Sequence, residues 1–423
     1  MPLNLPFIVL QALAHNFIHV SSRFGFFMDV REFHDAITGA RSASSHLLPP
    51  VILHVLYLWG IHLHVSRHRQ SNGALAAYEP ALLSHALRSV ANAMSGSTSQ
   101  HIVGGTRPTP AHPTTILHAL QAIVLLAHYF IRNTRLLEAH YQIGLAVSIS
   151  ISAGLHRVRD SNSDAANAFW AVVRLNAFRA SFEPKTTDVQ FTGTGRVTIH
   201  TPWPDCQVVK NMEDEDSIVD EFLADNSASQ DRGTSAAALL AKASILFQVS
   251  ANRSLDAQEY ESLSFKLAAF SRVVEEFLHP FSPSEQPNQV FVAHMLVQGA
   301  SIQLSRQHDH KGIRPSDDAR RAAESITQRL SSTDLSQFGE PDFILTCVWV
   351  SACFVFVDDV RYSKARGMTY ETSAMSLKTL IRTMDHFATS SGFMRAQCAE
   401  ICTIISEMGL DAYWLDSCSN ARK

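Results

Sequence analysis

Apolar residues recur along most of this chain at the spacing of one face of an α-helix. One such face consists of Leu117, Leu120, Val124, Ala127 and Ile131. Sustained alternation of apolar and polar residues, the mark of a half-buried strand, is hard to find. The pattern therefore predicts an all-α fold, a large multi-helix domain of antiparallel helix pairs with long loops.

The predicted helices are separated by stretches rich in Gly, Pro and Ser, which favour loops. The N-terminal stretch is predicted to be helical. Further helices are predicted over 114–132, 135–153, 164–182, two between 234 and 281, then 289–306, 316–331, 341–357, 370–388 and 392–409. Loops are predicted at 94–113, 184–204, 280–287 and 312–315.

The helices at 114–132 and 135–153 are predicted to form an antiparallel pair. Thr114 or Thr115 is a plausible N-cap, since a hydroxyl can accept a hydrogen bond from the first helical turn. Asn133 and Thr134 mark the turn between the two helices. Gly154 suits the left-handed position that follows a helix C-terminus.

Acidic residues and serines gather at 211–233, NMEDEDSIVDEFLADNSASQDRG. Such a composition is typical of a solvated linker. The predicted organisation is a helical region at 1–210, this linker at 211–233, and a second helical half at 234–423 packed on the first.

Composition places the chain among ordinary globular proteins. Its 423 residues are 46% hydrophobic and 17% charged, with a net charge of -4. That charge gives no electrostatic reason for the chain itself to bind nucleic acid. Six cysteines without a paired spacing indicate reduced thiols in a nuclear or cytosolic compartment. The apolar N-terminus lacks the basic start of a secretory signal.

Two apolar stretches are candidates for membrane spans. Residues 47–65 contain three histidines, and 343–357 falls short of the roughly 20 apolar residues that a span needs. Both are interpreted as buried core helices, and no membrane partner is predicted.

Catalytic and phosphate-binding motifs are missing from the sequence. No G-x-S-x-G elbow and no glycine-rich loop ending in Gly-Lys-Ser or Gly-Lys-Thr occurs. Gly193-Thr194-Gly195 lacks the third glycine of a dinucleotide-binding turn. We therefore predict no catalytic or cofactor-binding residue and no enzyme.

Three groups of residues were considered as metal ligands, and none has the spacing of a known site. They are His62, His64 and His68; His308, Asp309 and His310; and Cys398, Cys402 and Cys418. Solvated or core histidines and packed cysteines are the favoured interpretation. No metal site and no cofactor are predicted in this chain.

Asp358 and Asp359 indicate an alternative in which the chain is an enzyme. All-α enzymes of the terpene-synthase type cluster aspartates at the end of an apolar helix to hold magnesium and diphosphate. Here Val360, Arg361 and Tyr362 follow the pair, so the third carboxylate is missing. The favoured interpretation is a helix C-terminus with exposed acids.

The stretch 118–159, HALQAIVLLAHYFIRNTRLLEAHYQIGLAVSISISAGLHRVR, resembles the middle homology region of fungal-specific transcription factors. Further matches occur in order at 23–33, 48–63, 78–90, 168–176 and 197–206, the last ending in the block TPWPDC. This series resembles versions from basidiomycete fungi and covers about the first half of the chain. The second half adds ALLAKASILF at 238–247.

The chain departs from the family pattern at a few positions. Thr134 stands where the family has a glycine, and the Leu-Asp-Arg that follows the aromatic helix is Leu175, Asn176 and Ala177 here. The six-cysteine zinc cluster that places a family member's helix in the DNA major groove has no counterpart in this sequence. The chain is thus expected to be a truncated gene model or a cofactor-like relative.

The resemblance implies a regulatory domain that modulates DNA-templated transcription in the nucleus. Its implied partners are the transcription machinery or co-regulators, with a homodimer and a small-molecule effector as further options. DNA binding, and with it zinc, is implied only through the missing cluster or through a partner. A helical protein-interaction scaffold remains a further alternative.

Overall fold

The computed structural model describes residues 6–38, 48–67, 73–95, 113–182, 197–206, 217–224, 233–251, 255–278, 287–308, 314–335 and 341–409. Over these residues the chain forms α-helices and two short 3-10 turns, with no strand. The predicted all-α fold class is confirmed. The predicted loops at 94–113, 184–204, 280–287 and 312–315 fall largely outside the described residues.

The chain divides into two compact units. The first comprises residues 1–131, 135–155 and 163–172. It contains, in chain order, α1 (Phe7–Ile18), a 3-10 turn (Ser21–Phe24), α2 (Val30–Thr38), α3 (Pro50–Arg67), α4 (Gly73–Ala76), α5 (Glu79–Ser95), α6 (Pro113–Arg132) except its last residue, α7 (Leu136–Ser152) and the first half of α8 (Asp164–Phe182). Helix α3 packs against both α1 and α5.

A tryptophan lies at the centre of the first unit. Trp59 of α3 is fully buried, and its indole Nε1 donates to the backbone oxygen of Leu125, 3.1 Å away. Its ring lies 5.5 Å from Phe17 and 4.2 Å from Phe24, centre to centre. One residue further along, Gly60 lets α3 approach the backbone of α1, because a β-carbon there would lie 2.3 Å from the Leu13 oxygen. The close approach of these helices thus depends on a missing side chain.

The second unit comprises residues 132–134, 156–162 and 173–423. Beyond the second half of α8 it contains α9 (Ile218–Ala224), α10 (Ala236–Ser250), α11 (Ala257–Phe277), α12 (Pro287–His308), α13 (Asp317–Ser332), α14 (Ile344–Ala365), α15 (Glu371–Ala388) and α16 (Gly392–Glu407). Helix α12 is central, since α10, α11, α13 and α14 all pack against it. Helices α14, α15 and α16 pack against one another.

Side-chain caps fix the start of several helices in the second unit. The hydroxyls of Ser235, Ser316 and Ser391 each accept a hydrogen bond from the first turn of α10, α13 and α16. Asp256 and Glu259 form a complete capping box at α11. Such caps satisfy backbone N–H groups that the helix itself leaves unpaired, and each contributes about 1 kcal/mol.

The observed helices match the predicted ones closely at most ends. Gly154 has φ 73°, which confirms the left-handed position after α7. The predicted N-cap at Thr114 or Thr115 is wrong, because α6 begins at Pro113. Proline suits the first helical position, where its fixed φ is already helical and its missing N–H costs nothing.

Four helices were not predicted: α2, α4, α5 and α9. Helix α2 lies in the block at 23–33 and just beyond it, and α9 lies inside the stretch predicted to be a linker. Ile218, Val219 and Phe222 of α9 are buried, so this part of the acidic stretch packs on the second unit. The flanking residues 211–216 and 225–232 lie outside the described part of the chain.

One helix in the described residues is long and apolar enough to cross a membrane by length and composition alone. It is Thr114–Arg132 in α6, and 72% of its most apolar window is buried inside the structure. A core helix passes the same test. The two stretches weighed in the sequence fall in α3 and α14, and many of their residues belong to the core.

Candidate functional site

The aspartate pair Asp358–Asp359 does not stand at a helix end, as the sequence indicated. Helix α14 continues to Ala365, because Val360 and Ser363 extend its buried face. Asp359 is buried and accepts a hydrogen bond from the Ser373 hydroxyl of α15, 2.6 Å away. The carboxylate therefore joins two packed helices.

Asp358 has a different environment from its neighbour. Its Oδ1 lies 3.8 Å from the Arg361 guanidinium, and about 40% of its side chain is exposed. Burial raises the pKa of this carboxyl, although the charges of Arg306 and Arg361 oppose the shift. The two carboxylates of the pair thus have separate partners.

The considered histidines and cysteines do not form a common metal centre in the described residues, where no group of three or more ligating side chains is placed to hold an ion. Cys398 is a free thiol, and burial, followed by the charge of Asp385, raises its pKa to about 12. Cys402 is disulfide-bonded, so the expectation of reduced thiols is wrong at this position. His68, Asp309, His310, Cys418 and the 193–195 turn lie outside the described residues.

His62 belongs to a buried polar cluster in the first unit. Its Nδ1 lies 2.8 Å from Glu79 Oε1, and the Tyr129 hydroxyl donates to the same oxygen at 2.8 Å. His62 Nε2 is buried without a hydrogen-bond partner. The cluster ties α3, α5 and α6 together through one carboxylate.

Electrostatics favour an ionised Glu79 and a neutral Tyr129 in this cluster. Burial pushes the pKa of Glu79 up, but the hydrogen bond and charge of His62 and the hydrogen bond from Tyr129 outweigh it, so the pKa lies below its usual value. Burial, and then the charge of Glu79, raises the pKa of Tyr129 well above its usual range. The arrangement is that of a satisfied structural carboxylate rather than of a poised acid.

The TPWP block at 201–204 lies against the start of α10 in the second unit. Ser235, which caps α10, donates through its hydroxyl to the Pro204 oxygen at 3.0 Å. The hydroxyl of Ser161 donates to the Cys206 oxygen at 2.6 Å, and Thr201 accepts from the Val158 N–H at 3.2 Å. These contacts hold the extended block in place without a strand.

A buried lysine from the ALLAKASILF block lies under TPWP. Lys242 is fully buried, and its Nζ donates to the Gly233 oxygen at 3.0 Å. The same Nζ lies 5.3 Å from the ring centre of Trp203 and 5.5 Å from that of Phe222. A second buried lysine, Lys266 of α11, lies 4.2 Å from the Phe222 ring. Aromatic rings attract cations within about 6 Å. We call Lys242, Lys266, Trp203, Phe222 and Gly233 the lysine–aromatic cluster.

The turn that ends α6 contains a strained residue. Thr134 has φ 59°, a left-handed conformation that costs an L-residue roughly 1–2 kcal/mol. Its hydroxyl donates to the Asn133 oxygen, 2.6 Å away. The Arg135 N–H donates to the Phe130 oxygen at 2.9 Å. The backbone of this turn thus has a left-handed conformation that glycine adopts without strain.

Thr134→Gly is expected to stabilise the protein by about 1 kcal/mol. Relief of the left-handed strain exceeds the extra backbone entropy that glycine loses on folding. Urea unfolding of the two proteins measures the difference. The matched control is Thr403→Gly on an exposed position of α16, where the same substitution should cost about 1 kcal/mol. If both variants lost the same free energy of unfolding relative to the wild type, backbone strain at Thr134 would be contradicted.

An open cleft of about 470 Å³ lies at the junction of α1, the first 3-10 turn and α2. Six of its eight lining residues have a polar or charged side chain. The lining residues are Ile18, His19, Ser21, Ser22, Val30, Arg31, His34 and Asp35.

This cleft was not predicted from the sequence. The i, i+4 spacing of His15 and His19 is a local signal for its α1 side, whereas its α2 side comes from tertiary packing. Comparison with known proteins adds no relative: no family model matches the chain, and no curated protein and no solved structure matches it either.

Proposed function

We propose that this chain is the regulatory domain of a fungal transcription factor that modulates DNA-templated transcription. The observation that carries the proposal is the turn at Thr134. The family pattern has a glycine at this position, and the backbone here adopts the left-handed conformation that explains such a glycine. The agreement between the family glycine and the left-handed backbone at Thr134 supports the resemblance.

The contact between two further family-like blocks supports the same proposal. The blocks at 197–206 and 238–247 are separated by more than thirty residues. They meet in the lysine–aromatic cluster, where Trp203 comes from the first block and Lys242 from the second. A motif series that belongs to one fold is expected to form mutual contacts of this kind.

In this proposal the domain acts through other molecules. Its net charge of -4 does not favour direct binding to phosphates, so DNA is reached through a zinc cluster on a partner or on another part of the protein. The proposed partners are co-regulators or the transcription machinery in the nucleus. Homodimerisation and a small-molecule effector are compatible with the same role, and the cleft between α1 and α2 is one place where an effector would fit.

Tethering the chain to a promoter tests the proposal. The full chain is fused to a sequence-specific DNA-binding domain of known target, and transcription of a reporter carrying that target is measured in a fungal host. A regulatory domain is expected to raise or lower transcription relative to the DNA-binding domain alone. The host should be a basidiomycete, because partners of the domain are expected there.

The control is the same chain without the DNA-binding domain, which should leave the reporter unchanged. Equal nuclear levels of all fusions are verified by immunoblotting. Reporter output identical to that of the DNA-binding domain alone, from a fusion that is present and folded, would refute the proposed role.

A further inference from the structure

Two histidines of α1 face each other at the distance of metal ligands. His15 and His19 lie one helical turn apart, and their Nε2 atoms are separated by 2.9 Å. Two neutral imidazoles reach this distance when one ring donates its proton to the lone pair of the other. Two ligand atoms at a right angle on one metal ion lie about 2.9 Å apart when each metal–nitrogen bond is about 2.0–2.1 Å long, and on a tetrahedral ion they lie only about 0.4 Å further apart.

The pair has a third imidazole nearby. The His34 ring of α2 lies 5.5 Å from the His15 ring and 6.3 Å from the His19 ring, centre to centre. These positions do not already form a three-ligand centre, because no group of three ligating side chains in the described residues is placed for one. An ion held here would therefore have the two α1 histidines as its protein ligands.

Protonation of His15 is disfavoured. Burial lowers the pKa of His15, and the charges of His19 and His34 lower it further. Neutral imidazole is the form that binds metal ions. The cleft beside the pair is open to water and is lined by His19, Asp35 and Arg31. Asp35 attracts a cation and Arg31 repels it, so the local charges nearly cancel.

We propose that His15 and His19 chelate one divalent transition-metal ion through their Nε2 atoms at the mouth of this cleft. When the ion binds, the ring that had donated its Nε2 proton shifts that proton to Nδ1. Both Nε2 lone pairs then bind the metal, and no proton is lost. Imidazole ligands select zinc, copper or nickel over magnesium and calcium, which prefer oxygen. The site lies outside the role proposed above and does not depend on it.

Calorimetric titration of the full chain with NiCl2 or ZnCl2, after treatment with a chelator, tests the proposal. MgCl2 is the control ion and should give no signal. The variants are His15→Gln, His19→Gln and His34→Gln, and the matched control variant is His386→Gln, an exposed histidine of α15. A thermal scan with and without metal adds a second readout, because an ion that binds only the folded state raises Tm.

We expect His15→Gln and His19→Gln each to weaken metal binding by at least about tenfold. Substitution of a residue that only hydrogen-bonds to a metal ligand already lowers metal affinity by about that much. His34→Gln should weaken binding less, and His386→Gln should not change it. Circular dichroism verifies that each variant is folded. Absence of binding in the wild type, full binding in His19→Gln, or an equal loss in His34→Gln would overturn the two-histidine site.

Discussion

Gly60→Ala is expected to destabilise the first unit by roughly 3 kcal/mol, with a fall in Tm of about 6–12 °C. A β-carbon at this position would lie 2.3 Å from the Leu13 oxygen and 2.6 Å from its carbonyl carbon. Both atoms belong to the backbone of α1, so a side-chain rotation cannot relieve the overlap and the helix itself must move. The higher helix propensity of alanine, about 1 kcal/mol, offsets only part of this loss. Differential scanning calorimetry measures the change.

Gly299→Ala is the matched comparison, since Gly299 is also a buried helical glycine, in α12. A β-carbon there would lie 2.9 Å from Val348 Cγ2 and 3.1 Å from Phe247 Cε2, which are side-chain atoms. These atoms can move by a rotation, so we expect a loss of only about 1 kcal/mol. A Gly60→Ala protein as stable as the wild type would show that α1 and α3 are not packed backbone to backbone.

Lys242→Ala is expected to destabilise the second unit by about 4 kcal/mol. The substitution deletes three methylene groups and the ammonium from a fully buried position and leaves a cavity. It also removes the hydrogen bond from Nζ to the Gly233 oxygen and the cation attraction to Trp203 and Phe222. Urea unfolding, followed by tryptophan fluorescence to which Trp203 of the TPWP block contributes, measures the loss.

Lys242→Met separates packing from polar contacts. Methionine keeps an unbranched, flexible stem of similar length and removes the ammonium group. Its stability should therefore fall between those of the wild type and Lys242→Ala. Burial of a charge costs desolvation energy, which the contacts of the ammonium must offset. A methionine variant at least as stable as the wild type would show that these contacts do not offset it.

Helix positions could be predicted from the sequence because the signals are local. Periodic apolar residues and capping serines act within one or two turns, so α8, α13 and α15 lie within two residues of their predicted bounds. Helix α9 was missed because its acidic residues resemble a solvated linker. Only the surface that receives Ile218 and Phe222 makes this short segment a helix, and that surface is a property of the folded unit.

Burial of charged residues could not be predicted. Lys242 lies within an apolar run, where a lysine is ordinarily expected to mark the exposed face of an amphipathic helix. Helix α10 is instead buried on nearly every side, and the lysine meets a carbonyl and two aromatic rings that come from elsewhere in the chain. Likewise, nothing near Asp359 in the sequence indicates that Ser373 will hold its carboxylate.

The histidine pair illustrates the same division between local and distant information. The i, i+4 spacing of His15 and His19 can be read from the sequence, but 21 histidines make such a pair unremarkable there. The cleft and the His34 ring arise when α2 folds against α1. Helix spacing therefore places the two histidines on one face, and only the packing shows that His19 lines a cavity.

The central claim, that the folded chain regulates transcription, is tested most directly by the reporter output of the tethered chain beside that of a double variant. Gly60→Ala and Lys242→Ala together weaken both units, one substitution in each. At equal protein levels, we expect the wild-type fusion to change transcription and the double variant to give the output of the DNA-binding domain alone. If the wild-type fusion also gives that output, the chain is not a transcriptional regulatory domain.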